Sequence, residues 1–78
     1  MNIKESVKQD LILLGKHIKK LREERGLSIK DISLKTGISS QYLRKIENGL
    51  AYRVLIDRHL LKIAIALNVK TQELFSFI

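Results

Sequence analysis

The sequence contains no cysteine, no proline and no tryptophan. Without cysteine the chain can form neither a disulfide nor a thiolate metal site, and two isolated histidines cannot hold a zinc ion alone. No apolar run approaches the roughly 18 residues that cross a bilayer, and charges interleave residues 1–8, so neither a membrane span nor a secretory signal is predicted. We therefore expect a cytoplasmic protein, and no metal, cofactor or small-molecule ligand is indicated.

The chain is also short, and its charge is unbalanced. Its 78 residues are the size of one small domain, and a composition of 45% hydrophobic and 29% charged residues is ordinary for a soluble globular protein. Fifteen Lys and Arg against eight Asp and Glu give a net charge of +7. This excess indicates a polyanionic partner, with nucleic acid first and an anionic membrane surface second.

Apolar residues recur at three- and four-residue spacing in five stretches, which predicts an all-α, compact five-helix domain. Side chains that cap helix ends and glycines that stop helices set the expected bounds. The predicted helices run from Leu11 to near Arg25 with Gly26 as a left-handed cap, from Ile29 to Thr36 with Ser28 and Asp31 as a capping box, from Ser40 to Asn48 capped by Ser39, from a cap at Asp57 to a stop at Asn68, and from Thr71 to the chain end.

The second and third predicted helices are separated by very few residues. Only Gly37 and Ile38 lie between the end of one helix and the cap of the next, which forces a steep crossing with Ile38 folded under it, as in a helix-turn-helix. One flank of the third helix then carries only side chains that pair with base edges in a major groove, because Glu47 falls on another flank. The alternative is an ordinary solvated face. The flank comprises Ser40, Gln41, Arg44, Lys45 and Asn48.

The stretch from Leu14 to Leu74 resembles the Cro and lambdoid-repressor helix-turn-helix family, also called the xenobiotic-response-element (XRE) family. Such proteins serve as small transcription regulators of phage, plasmid, restriction–modification and other bacterial systems, and the resemblance implies a lambda-repressor-like DNA-binding domain. The matching segments are residues 15–22, Gly26-Leu27-Ser28, Thr36-Gly37-Ile38-Ser39, Tyr42-Leu43, Ile46-Glu47-Asn48-Gly49, Leu61-Lys62-Ile63-Ala64 and Ala66-Leu67-Asn68-Val69.

The resemblance implies roles for individual residues. Arg22 and Glu47 match a structural pair that orients the third helix. Two departures from the family pattern are Ile29, which stands where a Gln is usual, and a loop at residues 50–56 that lacks the common Pro. For Tyr42, packing against the second helix is the alternative to a contact with the DNA backbone. The base-reading residues implied are Ser39, Ser40, Gln41, Arg44 and Lys45, and the DNA-backbone residues are Ser28, Lys30, Tyr42, Asn48, Tyr52 and Arg53.

Three apolar or terminal segments have two or more interpretations. The C-terminal cluster either closes the core or forms a dimer, and we favour the dimer because helix five builds a twofold interface in similar proteins. Residues 1–10 are an N-terminal extension to a domain at 11–78, and they extend helix one, form an arm or join the dimer. The loop at 50–56 meets a partner or tucks into the core, and we favour the core. The predicted dimer residues are Leu74, Phe75, Phe77 and Ile78.

The leading functional hypothesis is a sequence-specific regulator that binds double-stranded DNA as a homodimer on a partly palindromic operator. Two copies would present their third helices to successive major grooves, about 34 Å apart. The alternatives are an antitoxin or other protein-interaction module with secondary DNA binding, and an amphipathic membrane-surface binder. The acids of helix one and its lack of aromatics argue against the membrane. No enzyme is expected, since no catalytic motif or phosphate loop is present.

Overall fold

The computed structural model describes residues 3–55 and 58–77. Within these residues the fold has four α-helices, two short 3-10 turns and no strand. Asp57, predicted to cap the fourth helix, lies outside the described residues, as do Ile56 and Ile78. In chain order the elements are α1 (Ile3–Glu24), α2 (Ile29–Thr36), α3 (Ser40–Glu47), the first 3-10 turn (Tyr52–Leu55), α4 (His59–Leu67) and the C-terminal 3-10 turn (Thr71–Phe75).

Helix α1 is 22 residues long, which corresponds to about 33 Å. Among the described residues it begins at Ile3, so residues 3–10 extend the helix rather than forming a separate arm. Nearly all of these first residues are exposed, and the buried stripe of the helix starts at Leu11 and continues through Leu14 and Ile18. No helix in the described ranges is both long enough and apolar enough to cross a membrane.

The α2–α3 unit forms as its capping signals predict. Gly37 has a φ of 76°, a left-handed conformation that L side chains disfavour, and its N–H donates to the carbonyl of Ser33 at 2.8 Å. Ile38 is 4% exposed and lies under the crossing of the two helices. The Ser33 hydroxyl donates to the Ile38 carbonyl at 2.6 Å, and the Thr36 hydroxyl accepts from the Ile38 N–H at 3.1 Å. Side chains of α2 therefore hold the turn from both sides.

The prediction of a fifth α-helix is wrong, because Thr71 begins a 3-10 turn of five residues instead. Its N-cap position is Lys70, which makes no side-chain capping bond, and its backbone bonds span three residues. A segment this short cannot form a stable α-helix alone, and 3-10 geometry is common in such pieces. Packing holds the turn in place, since Leu74 is fully buried within the chain.

The loop that follows α3 packs into the core at two positions, which agrees in part with the expected burial. It contains a 3-10 turn, and Ala51 and Val54 are 5% and 1% exposed. Leu50 and Tyr52 alternate with them and remain mostly exposed. The apolar composition of the segment is thus explained in part by burial.

Candidate DNA-binding surface

Helix α3 has one buried side and one exposed side. Leu43 and Ile46 are 3% and 2% exposed and face the core. Gln41, Arg44 and Lys45 are exposed on the other side, together with Asn48 just after the helix, while Ser40 is half-buried at its edge. These positions lie three and four residues apart, so their side chains form one continuous row. We call Gln41, Arg44 and Lys45 the polar row of α3.

The start of α3 is fixed by Ser39 and Tyr42. The Ser39 hydroxyl accepts a hydrogen bond from the Tyr42 N–H at 3.1 Å, so this side chain caps the helix. Tyr42 is half-buried, and its ring centroid lies 4.9 Å from that of His59 on α4. Tyr42 thus has a ring contact with α4 that sequence spacing could not indicate, and its two predicted roles, packing against the second helix and contact with the DNA backbone, stay predictions.

The start of α2 is a complete capping box. The Ser28 hydroxyl accepts from the Asp31 N–H at 3.0 Å, and the Asp31 carboxylate accepts from the Ser28 N–H at 2.8 Å. The hydrogen bonds from Ser28 to this carboxylate hold the pKa of Asp31 below its usual value of 3.8. Lys30 is exposed in the first turn, where positive charge and helix N–H groups favour an anion.

Arg22 and Glu47 form a bidentate ion pair between α1 and the end of α3. The Arg22 Nε donates to the Glu47 Oε2 at 2.7 Å, and Nη2 donates to Oε1 at 3.0 Å. Arg22 Nη1 also donates to the carbonyl of Leu27 at 2.9 Å. The hydrogen bonds to the Glu47 carboxylate raise the pKa of Arg22 above its usual value. The acid of α3 is thereby paired with Arg22, and it lines the same shallow depression as Arg44 and Asn48.

A shallow depression beside α3 is lined in part by one residue that was not among the predicted DNA-binding residues. Lys19 of α1 lines it together with Arg44 and Asn48, and the half-buried Ile29 contributes to its wall. Lys19 precedes Arg22 by one helical turn on the same side of α1. Once Arg22 is assigned to Glu47, that spacing could have placed Lys19 beside the polar row.

Tyr52 and Arg53, predicted to contact the DNA backbone, are both exposed in the first 3-10 turn. Tyr52 lines a broad depression with Ile3 and Val7 from the first turns of α1. No hydrogen bond among the described residues joins either side chain to α3. Neither residue lines the depression beside Arg44 and Asn48, and their contact with the DNA backbone stays a prediction.

The C-terminal cluster predicted to form a dimer divides into residues with different surroundings. The prediction for Leu74 is wrong, because a side chain with 0% exposure inside its own chain has no surface for a partner. Phe75 and Phe77 are half-buried with ring centroids 6.5 Å apart, and Phe77 lies 5.8 Å from the ring of His17. Ile78 lies outside the described residues.

Two large apolar side chains of α4 remain outside the core. Leu61 is 53% exposed and Ile65 is 71% exposed, and they lie four residues apart on one side of the helix. Neither has a role predicted from the sequence, although their spacing alone indicates a second apolar stripe. They form a further exposed apolar surface on α4.

The fold and this surface define a class of protein, a helix-turn-helix DNA-binding regulator. A sequence profile of the helix-turn-helix family matches residues 18–74, which is most of the chain. The chain therefore belongs to this family, in its XRE branch, and the resemblance noted from the sequence is confirmed.

Particular relatives agree with that class. The crystal structure of the restriction-modification controller protein C.AhdI from Aeromonas hydrophila matches with a TM-score of 0.78 and 31% identity over 86% of this chain and 98% of that one. The HTH-type transcriptional regulator SlrR of Bacillus subtilis strain 168 is 33% identical over 63 residues, which are 81% of this chain and 41% of SlrR. The uncharacterized HTH-type transcriptional regulator y4dJ of Sinorhizobium fredii strain NBRC 101917 / NGR234 is 36% identical over 62 residues, covering 80% of this chain and 78% of y4dJ.

Proposed function

We propose that this protein regulates transcription by reading a specific double-stranded DNA sequence with α3 in the major groove. The observation that carries the proposal is the polar row itself. Gln41 and Arg44 are exposed side chains able to bond adenine and guanine edges, and the only acid of the helix is held by Arg22.

Contacts to the DNA backbone would fix the register of the row. Half or more of the hydrogen bonds in protein–DNA complexes go to phosphates and sugars, and these contacts position the protein without reading sequence. Cationic or polar side chains flank the row on several elements. We assign this role to Lys19, Ser28, Lys30, Tyr42, Asn48, Tyr52 and Arg53, and we assign base reading to Gln41, Arg44 and Lys45 with Ser39 and Ser40 at the start of the helix.

Selection of bound sequences from random duplexes tests the proposal. We expect the wild-type protein to recover one recurrent motif, and a match to that motif just upstream of its own gene would indicate autoregulation. Gln41→Ala should lose about 1–3 kcal/mol of discrimination at one base pair of that motif. Gln72→Ala removes an equally exposed glutamine from the C-terminal 3-10 turn and should leave the motif unchanged. Recovery of unrelated sequences by the wild type would contradict the proposal.

We further propose that two copies act together on a partly palindromic operator. The support is the half-buried pair Phe75 and Phe77, since aromatic side chains are enriched in the centres of interfaces. A twofold dimer would place two α3 helices one turn of DNA apart.

Sedimentation of charged variants tests the dimer. Phe75→Glu should convert the protein to a monomer, because a carboxylate would lie inside the apolar contact. Ile65→Glu places the same charge on the exposed side of α4 and should leave the dimer intact. A dimeric Phe75→Glu protein beside a monomeric Ile65→Glu protein would move the interface to α4, and a monomeric wild type would refute the dimer altogether.

A further inference from the structure

We propose that Gly15 is a positioning residue for DNA recognition. By lacking a side chain it sets how closely α1 approaches the C-terminal end of α3, and hence where the polar row lies relative to the bases. This inference rests on the proposed function, because it concerns the placement of the same helix on DNA.

The contact at Gly15 is between helix backbones. Gly15 is buried on α1, and a Cβ added to it would lie 2.5 Å from the carbonyl oxygen of Glu47 and closer still to that of Ile46. Ordinary contacts between carbon and carbonyl oxygen are about 3.3–3.6 Å. An alanine at this position therefore requires the end of α3 to withdraw by about 1 Å.

A second backbone contact adjoins the first. A Cβ on Gly49 would lie 2.8 Å from the Cα of Ile12, which precedes Gly15 by three residues on the same side of α1. Two turns after Gly15 comes Arg22, which holds the carboxylate of Glu47. Backbone atoms cannot move aside by changing a rotamer, so a side chain added at Gly15 displaces the helix as a whole.

Withdrawal of the end of α3 would also move the polar row, because α3 is short. The helix has 8 residues, about 12 Å, and Arg44 and Asn48 lie within one turn of the contacted carbonyls. A hydrogen bond to a base edge spans about 2.7–3.2 Å and does not survive a shift of about 1 Å. Long lysine and arginine side chains on phosphates adjust to the same shift, because an ammonium or guanidinium on a flexible stem has many rotamers. Discrimination between sequences should therefore suffer more than affinity for DNA in general.

The experiment compares Gly15→Ala with Gly26→Ala on two probes. The probes are a duplex recovered by selection on the wild-type protein and a scrambled duplex of the same composition, with affinities measured by fluorescence anisotropy and folding by circular dichroism. For Gly15→Ala we expect the ratio of the two affinities to fall by about tenfold or more. Its affinity for the scrambled duplex should change by less than about threefold.

Gly26→Ala is the matched control. Gly26 has a φ of 65°, so alanine is strained there and destabilises the fold, but nothing lies within 4 Å of the added Cβ. This variant should be less stable than the wild type and keep the full ratio of affinities. The pair separates loss of stability from displacement of α3.

Each outcome decides the question. A folded Gly15→Ala protein with the wild-type ratio overturns the positioning role, and so does an equal loss of ratio in Gly26→Ala. If Gly15→Ala does not melt cooperatively, the measurement is repeated in sucrose, which favours the folded state. Failure to fold there also overturns the proposal, because Gly15 would then serve the fold as a whole. A wild-type protein that binds both duplexes equally refutes the proposed function instead.

Discussion

The helix-turn-helix unit and the C-terminal part of the chain hold their helices by different means. In α2 and α3 the first turns are closed by the side chains of Ser28 and Ser39. In α4 and the C-terminal 3-10 turn, the N-cap positions Arg58 and Lys70 make no side-chain capping bond. Local hydrogen bonds define the first region, whereas burial of apolar side chains defines the second.

This difference corresponds to what each region presents to its surroundings. A helix that is fixed by its caps and by an ion pair can leave a whole polar side exposed, as α3 does. The C-terminal turn is held instead by Leu74 and by contacts with α1, where the carbonyl of Glu73 and the hydroxyl of Ser76 lie 2.9 Å and 3.0 Å from the Nε2 of His17. The side chain of Leu74 is therefore not available to a partner, whereas those of Phe75 and Phe77 are only half-buried.

The largest expected effect on stability comes from a substitution in the C-terminal 3-10 turn. Leu74→Ala should lower the free energy of unfolding by about 2–5 kcal/mol, because it leaves a cavity where the side chain is fully buried. Leu61→Ala, at a position 53% exposed, should cost about 0.5 kcal/mol or less. Urea unfolding followed by circular dichroism measures both. Equal losses would show that the C-terminal turn is not part of the core.

The second-largest expected loss of stability comes from breaking the ion pair between α1 and α3. Arg22→Ala leaves the Glu47 carboxylate, whose side chain is 9% exposed, without its partner and should cost about 1–3 kcal/mol. A double-mutant cycle with Glu47→Ala measures the coupling, and the double variant should recover part of the loss. Strictly additive losses would mean that the two side chains do not stabilise each other.

A smaller difference in stability is expected between helix starts with and without a side-chain cap. Ser28→Ala and Ser39→Ala should each cost about 1 kcal/mol, because each leaves a helix N–H without its acceptor. Thr71→Ala, at the start of a turn without a side-chain cap, should change stability by about 0.5 kcal/mol or less. Thermal melts of the three variants test this difference, and a Thr71→Ala loss as large as the others would remove it.

The smallest effect is a pH dependence confined to the helix-turn-helix unit. The pKa of Asp31 is lower in the folded protein than its usual 3.8, so its stabilising effect is fully present above that value. The effect is lost as the pH falls through the lowered pKa. Below about pH 4 the wild-type unfolding free energy should therefore fall more steeply than that of Asp31→Asn. Parallel pH profiles in urea unfolding would contradict the assignment.

The same contrast explains how much could be predicted from the sequence. The bounds of α2, its capping box and the burial of Ile38 were predictable because the signals lie within a few residues of one another. The C-terminal 3-10 turn was mistaken for an α-helix, since its conformation depends on burial of Leu74 rather than on a cap.

Within the site, the sequence predicts the residues of α3 and the pairing of Glu47 with Arg22, but it does not select Lys19 or His59. Gln41, Arg44 and Lys45 share an exposed side because helical spacing determines it. Lys19 comes to the site from α1, and His59 meets Tyr42 from α4. The spacing of Lys19 from Arg22 indicates its place once Arg22 is assigned to Glu47, but no local pattern indicates the contact of His59 with Tyr42.

The central claim is that the polar row of α3 reads bases, and a set of duplexes with single base-pair changes in the selected motif tests it most directly. We expect the wild-type protein to lose about 1–3 kcal/mol of binding free energy when the base pair that Arg44 contacts is changed. Arg44→Ala should abolish sensitivity at that base pair alone, whereas Arg58→Ala, at an exposed arginine outside the row, should keep it. Arg44→Ala could instead weaken binding to every duplex by the same factor and leave all base preferences intact. That result would contradict base reading by the polar row.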